Sequence, residues 1–402
     1  MVPRRLIVGA IIAAASAPVI ASGASLDASI GRELFDRNWI SAPSSAKSND
    51  GLGPLYNATS CGSCHIRNAN AEVDEASVPP GTIVRIGNAK GGIDPIYGRQ
   101  LQTRAIANQK PEANPDITWS TTGTRRVASI KLFSQAYGPL SSESKLALRR
   151  SSSLFGIGLL AQIPDQEISK RADPDDANKD GISGRASMIS ENGKQVLGRF
   201  GWKATQTSLA AQASMAFSID MGLSTDAHPE PWGDCTAVQN VCRGGPHGAT
   251  KGEVEIPKSI VELIVTYLES LPAPAPVDTT QAEVEHGQRL FFTIGCALCH
   301  MNTGTVNGKP VAAYTDMLLH DMGPGLNDGI AEGSAKAGEW RTPPLWNLGF
   351  NARITGLLHD GRAASVTEAI QWHDGEAAQV RMRFNGLTGA EKDALIAFVS
   401  RL

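Results

Sequence analysis

The chain runs to 402 residues, room for about two to three domains of ordinary size. Its 37 Lys and Arg against 40 Asp and Glu leave a net charge of −3, without the basic excess of a nucleic-acid binder, and 41% hydrophobic residues are too many for a disordered chain. The 41 Gly and 23 Pro, beside only 5% aromatic residues, imply a compact protein rich in turns and loops.

Residues 1–23 have the form of a secretory signal peptide: Arg4 and Arg5, an apolar stretch from Leu6 to Ala21 broken by Pro18, then small residues at Gly23 and Ala24 where cleavage would fall. That stretch is short and proline-interrupted for a membrane span, and no other segment approaches one. The expected location is therefore the periplasm or the extracellular side, where disulfides persist. Removing the signal takes two arginines with it and moves the net charge from −3 to −5.

A helix around Ser29–Phe35 leads to Cys61-Gly-Ser-Cys64-His65, and a similar helix, Glu283–Phe292, leads to Cys296-Ala-Leu-Cys299-His300. Cys-x-x-Cys-His is the attachment signature of c-type haem. Two thiols add to the vinyl groups of one haem, and the following histidine reaches the iron as proximal ligand. Zinc or thiol-redox readings of Cys-x-x-Cys leave that histidine unexplained. Two covalently bound haem c groups are expected, with His65 and His300 as the proximal ligands.

Each half closes with an amphipathic helix. One spans 257–271, apolar at 260, 261, 264, 267, 268 and 271; the other spans 390–402, apolar at 395, 396, 398, 399 and 402. A stiff linker, Pro272-Ala-Pro-Ala-Pro276, lies between them. The expected organisation is an N-terminal cytochrome c-like haem domain at 24–275 and a C-terminal cytochrome c domain at 281–402. The first is heavily elaborated, mainly over residues 70–200, where strand signals are short (Thr82–Ile86). The expected fold class is mainly α, with long loops.

Between the motifs, Cys235 and Cys242 sit in a loop-like stretch, too far apart for haem attachment. A structural disulfide is expected there, free thiols being the alternative. Asp176, Asn178, Asp180 and Gly181 match positions one, three, five and six of an EF-hand loop, but Ser187 stands where the twelfth-position Glu would be. The turn is a candidate Ca²⁺ site or simply a solvated Asp/Gly loop. None of the eight histidines lies between 66 and 227, so the first haem has no distal histidine nearby in sequence. Met188, Met215 and Met221 could reach it. An open sixth position is what peroxide chemistry needs.

The segment Gly198–Gln212, followed by Asp220 and Met221, resembles the bacterial di-haem cytochrome c peroxidases, as do Arg341–Asn347, Leu358–Gly361 and Ser365–His373. Through Asn57–His65, Tyr97–Leu101, His320–Gly325 and Glu339–Leu345 the chain from about 30 to 402 is similar to the di-haem oxidoreductase family, whose relatives include the di-haem enzyme that matures methylamine dehydrogenase. The resemblance implies a periplasmic peroxidase-like enzyme passing electrons from the C-terminal haem to the N-terminal haem, where peroxide or another oxidant is reduced. It implies Trp202 as an aromatic stepping stone between the haems. Asp220 is the implied acid–base group, where the peroxidases carry Glu, one methylene longer and two residues further from the tryptophan. His373 stands where the peroxidases have a distal Met, which makes the second haem bis-histidine; Met322 is the rival ligand. His359 reads as a hydrogen-bonded turn residue. The implied partners are a small redox protein or cytochrome and a small oxidant, with no nucleic acid and no membrane span after signal removal. Two other functions stay open: a di-haem electron carrier without catalysis, and an oxidase that modifies Trp or Tyr of a partner protein. A dehydrogenase acting on a sulfur compound is a further possibility.

Overall fold

The computed structural model describes residues 25–68 and 81–402, apart from positions 124, 251, 276 and 355. The signal segment 1–23 lies outside the described residues.

Two crossed helix pairs frame the molecule. Ser25 accepts the N–H of Ala28 and so starts the helix Leu26–Asp36, which buries Leu34 and Phe35 and packs across Lys258–Ser270. Where they cross, a Cβ on Gly31 would overlap the carbonyl oxygen of Leu263, so glycine lets the two backbones touch. The second half repeats the device: Ala282–Thr293 crosses Gly389–Val399, and Gly287 lies against the carbonyl of Ala394. The spacing Gly-x-x-Leu-Phe recurs at Gly31, Leu34, Phe35 and at Gly287, Leu290, Phe291. The internal repeat therefore encodes a helix crossing as well as a helix. Thr388 and Glu391 form a reciprocal capping box that starts the last helix.

Two main cores follow. One gathers Leu34, Phe35, Phe217, Ile264 and Leu268, and takes in Val306, Met317 and Trp346 from the second half of the chain. The other gathers Phe291, Trp340, Phe384 and Phe398, with Trp202 from the first half packed against it. Each half thus lends apolar side chains to the other's core.

The expectation of a mainly α fold is corrected: about 30% of the described residues are helical and 20% lie in strands, so the fold is mixed α/β. Among the described residues there are six two-stranded antiparallel sheets. The longest pairs Asn114–Thr122 with Arg125–Phe133, setting Ile117 opposite Ile130 and Trp119 opposite Ala128 over a small core around Val84, Ile86 and Tyr97. These strands alternate half-buried residues with exposed Thr, Ser and Lys. Their apolar content is low, and only the period of two betrays them. Thr82–Gly87 with Lys145–Arg150, and Leu319–Asp321 with Glu339–Arg341, carry Arg150 and Arg341 to the seam between the two main cores. No helix among the described residues is long and apolar enough to cross a membrane.

Candidate active site

Both Cys-x-x-Cys-His motifs open onto one cavity of about 880 Å³. Cys61–Cys64 forms a single helical turn capped by Ser60, whose hydroxyl accepts the N–H of Ser63. Gly295, at φ +103°, turns the chain into the second motif. The four motif cysteines are free thiols. Burial is the first reason their pKa values are raised, to about 12 for Cys61 and Cys296 and about 11 for Cys64.

Three histidines share one arrangement. Nδ1 of His65 meets the carbonyl oxygen of Ser152 at 3.0 Å, Nδ1 of His300 that of Tyr314 at 2.9 Å, and Nδ1 of His373 that of Ala369 at 2.7 Å. Each backbone acceptor fixes the tautomer and leaves Nε2 as a lone-pair donor, the way metal-ligating histidines are held. Burial drives His65 and His300 down to about 4 and lowers His373 as well, so all three are neutral at ordinary pH.

His300 and His373 face each other with ring centres 6.4 Å apart and planes at 50°. A metal bound by both Nε2 atoms would set ring centres about 6.2 Å apart, taking about 2 Å per metal–nitrogen bond and roughly 1.1 Å from each nitrogen to its ring centre. His65 has no such counterpart: among the described residues the ring beside it is Phe35, at 6.2 Å. Of the three candidate methionines, Met215 lines the cavity, Met221 is buried in the first core and Met188 is exposed. Met322 lines the same cavity as His373.

Trp202 sits between the two ends. Its Nε1 donates to the carbonyl of Arg150 at 2.8 Å, two residues from the Ser152 carbonyl that holds His65. Its own carbonyl accepts the N–H of Arg341 at 2.9 Å. The next residue, Thr342, accepts from Thr315 Oγ1 at 2.6 Å, beside the Tyr314 carbonyl that holds His300. A path of covalent and hydrogen bonds thus joins His65 and His300, the histidines of the two motifs, through Trp202. The edge of Trp202 meets His359 at 6.5 Å, and His359 stacks on Trp340 at 3.8 Å with planes 7° apart. His359 is buried, and Arg149, Arg362, Lys203 and Arg150 around it add to the burial that keeps it neutral.

Asp220 ends the helix Leu209–Met221, which Ser208 caps at its start and Gly222, at φ +72°, closes. Its side chain lines the cavity wall that also carries Cys64 and His65. Burial raises its pKa, opposed by a 2.6 Å hydrogen bond from Gln100 Nε2 and by the charge of Arg85.

His320, quoted in a sequence motif without a role, is buried between two carboxylates, with Nε2 2.8 Å from Asp316 and Nδ1 2.7 Å from Glu376. Burial alone would lower its pKa, but these partners and Cys299 win and raise it to about 12. Cys299, Asp316 and His320 lie close enough to suggest a metal cluster. Both ring nitrogens are already taken, so His320 is a structural imidazolium. Cys235 and Cys242 are joined in a disulfide, with Cα atoms 6.4 Å apart. In the Asp/Gly turn, Asp176 accepts from the N–H of Gly181, Asp180 from that of Ile182, and Asn178 from that of Asp180. These bonds hold the turn in its folded shape.

Sequence reasoning missed Gln100, Trp340 and the role of His320. Gln100 and Trp340 were legible only as members of family-like motifs, since neither residue type points to chemistry by itself.

The family model described as "di-haem oxidoreductase, putative peroxidase" matches residues 129–402. The chain belongs to the di-haem oxidoreductase family. The match takes in the second Cys-x-x-Cys-His motif of this oxidoreductase, its Trp202, Asp220 and His373, while the first motif precedes it. No curated protein matches. A solved chain of hydrazine synthase from Kuenenia stuttgartiensis, pressurised with xenon, is similar at 12% identity over 100% of each chain with a TM-score of 0.36, a likeness too weak to carry any argument. The residues at the cavity fit the family's haem cofactors: the free thiols of the two motifs, which would bond to the haem periphery, the two motif histidines with Nδ1 tied to backbone carbonyls, and largely apolar walls.

Proposed function

We propose that this di-haem oxidoreductase is an exported, periplasmic peroxidase-type enzyme holding two covalent haem c groups, one on Cys61, Cys64 and His65 and one on Cys296, Cys299, His300 and His373. Electrons from a small redox protein enter at the C-terminal motif, cross by Trp202 and reduce peroxide at the N-terminal one. The observation that carries this reading is the asymmetry of the cavity. His300 is faced by a second imidazole at ligation distance, whereas His65 is not.

When bound, the haem irons supply the redox centres and the point at which peroxide is held. The chain supplies the rest. His65, His300 and His373 are held neutral and aimed by backbone carbonyls. Asp220, its pKa raised by burial, is able to take a proton from one peroxide oxygen and return it to the other, the transfer that heterolytic cleavage requires. Trp202 shortens the gap between the two ends with an indole fixed at Nε1.

The test is intact-mass analysis of the denatured, exported protein together with peroxide consumption driven by a reduced donor. Two haem masses retained after denaturation, one of them lost in Cys296→Ala, with peroxide turned over, is the expected result. A protein that carries both haems yet consumes no peroxide would instead be the electron carrier.

A further inference from the structure

No residue of the segment 232–242, in which a disulfide joins Cys235 to Cys242, lines the cavity, yet this segment grips the strip of chain that carries Gln100. The Asp234 carboxylate, 8% exposed, accepts the backbone N–H of Arg99 at 2.6 Å and of Gln100 at 3.2 Å, and pairs with Arg99 Nε at 3.1 Å. Gly98, at φ +69°, makes room for it, since a Cβ there would overlap the carboxylate. Further along the loop, Gln239 Nε2 donates to Glu112 at 2.6 Å, and the other oxygen of Glu112 accepts the N–H of Gln102 at 2.6 Å. On its far side the same strip reaches the end of the helix that carries Asp220. Gln102 Nε2 donates to the carbonyl of Ile219 at 2.9 Å, and Gln100 Nε2 to Asp220 Oδ1 at 2.6 Å.

We propose that Gln100 is a positioning residue for the Asp220 carboxylate, and that Asp234, next to the disulfide-bonded Cys235, fixes Gln100 from behind. This rests on the reading of Asp220 as the acid–base group. A short carboxylate at a cavity wall has several rotamers open to it, and a bond from an amide that is itself 1% exposed selects one. The selection is only as firm as the backbone of Gln100, which Asp234 holds from behind. The strip is therefore a rigid strut between a cross-linked loop and the reacting end of the cavity.

The holoprotein is tested by stopped-flow measurement of the second-order rate constant with hydrogen peroxide, and by CO binding to the reduced protein, which needs no proton transfer. Gln100→Leu is expected to slow the peroxide reaction about tenfold, as misplacement of a reacting group does. The same change made on top of Asp220→Asn is expected to cost less than about twofold more, because the two residues act as one unit. CO binding stays unchanged in both. Asp234→Ala reproduces the loss, and Asp234→Asn, whose amide oxygen still accepts both backbone N–H groups, recovers most of it. If Gln100→Leu has no effect, or costs the same tenfold in the Asp220→Asn background, the positioning role is overturned while the role of Asp220 stands. If Asp234→Asn is as slow as Asp234→Ala, or CO binding falls in step with the peroxide rate, the loop acts on overall structure and the proposal fails. If Asp220→Asn alone leaves the peroxide rate intact, the reading beneath the proposal fails first.

Discussion

Asp220→Asn isolates proton transfer from nearly everything else at the cavity. The amide has the size of the carboxylate, and its oxygen keeps the 2.6 Å bond from Gln100 Nε2. The backbone carbonyl of residue 220 still accepts the N–H groups of Asn57 and Ala58, which tie this helix end to the approach of the first motif. What disappears is the ability to hold and return a proton. Positioned acid–base groups contribute about 10²–10⁴ in rate, or about 3–5 kcal/mol of barrier. A loss within that range is expected in the rate constant for hydrogen peroxide, measured by stopped-flow absorbance, with little change in chemical stability. The pH profile gives a second, independent mark. Burial raises the Asp220 pKa, with Gln100 and Arg85 opposing and Asp234 assisting. The base form therefore appears only above the usual carboxylate range, so the wild-type rate climbs with pH across that raised value and the Asn variant loses the climb. A loss under about threefold, or a variant with the wild-type pH profile, would refute the assignment.

Three further outcomes follow from other parts of the molecule. His373→Met replaces an imidazole facing His300 by a thioether; His/Met ligation raises the potential of the second haem, by at least about 0.1 V within the roughly 0.8 V that axial ligands span, in an optical redox titration. Gly287→Ala and Gly31→Ala each force a methyl into a facing carbonyl, at a cost of about 1–3 kcal/mol in urea unfolding, while a substitution at Gly386, where nothing lies within reach of a Cβ, leaves the packing undisturbed. His320→Asn strips the partner from two carboxylates, Asp316 being fully buried, and costs about 3–5 kcal/mol. Because His320 has a folded pKa raised to about 12, its contribution is complete below the ordinary histidine value and declines as pH rises toward the folded one; the stability gap between wild type and variant is thus wider at pH 6 than at pH 9, and a gap that grows with pH would contradict the imidazolium.

The two Cys-x-x-Cys-His motifs were legible because their spacing is the one covalent haem attachment would require, and the four framing helices because their apolar positions recur at helical period. The glycines at 31 and 287 were visible but mute, since a close backbone approach appears only when the crossing partner is in place. The ribbon of Asn114–Thr122 and Arg125–Phe133 is hard to read in the sequence because Thr, Ser and Lys occupy its outer face, so the elaborated region reads as helix and long loops with short strand signals. Trp202 and Asp220 came from resemblance alone. Their physical surroundings, Arg150 and Arg341 on one side and Gln100 on the other, come from distant strands and loops: Trp202 and Arg150 are 52 residues apart in sequence, Gln100 and Asp220 120. No periodicity or local spacing encodes such pairings.

Low-temperature EPR of the oxidised protein, before and after hydrogen peroxide, tests the asymmetry of the two haem ends most directly. The expected spectrum has one low-spin bis-imidazole signal, from the end where His300 faces His373, and one high-spin signal, from the end where His65 stands without a second imidazole, with only the high-spin signal altered at once by peroxide. Two low-spin signals, one carrying the His/Met signature that Met215 would give, and neither responding to peroxide, would contradict it.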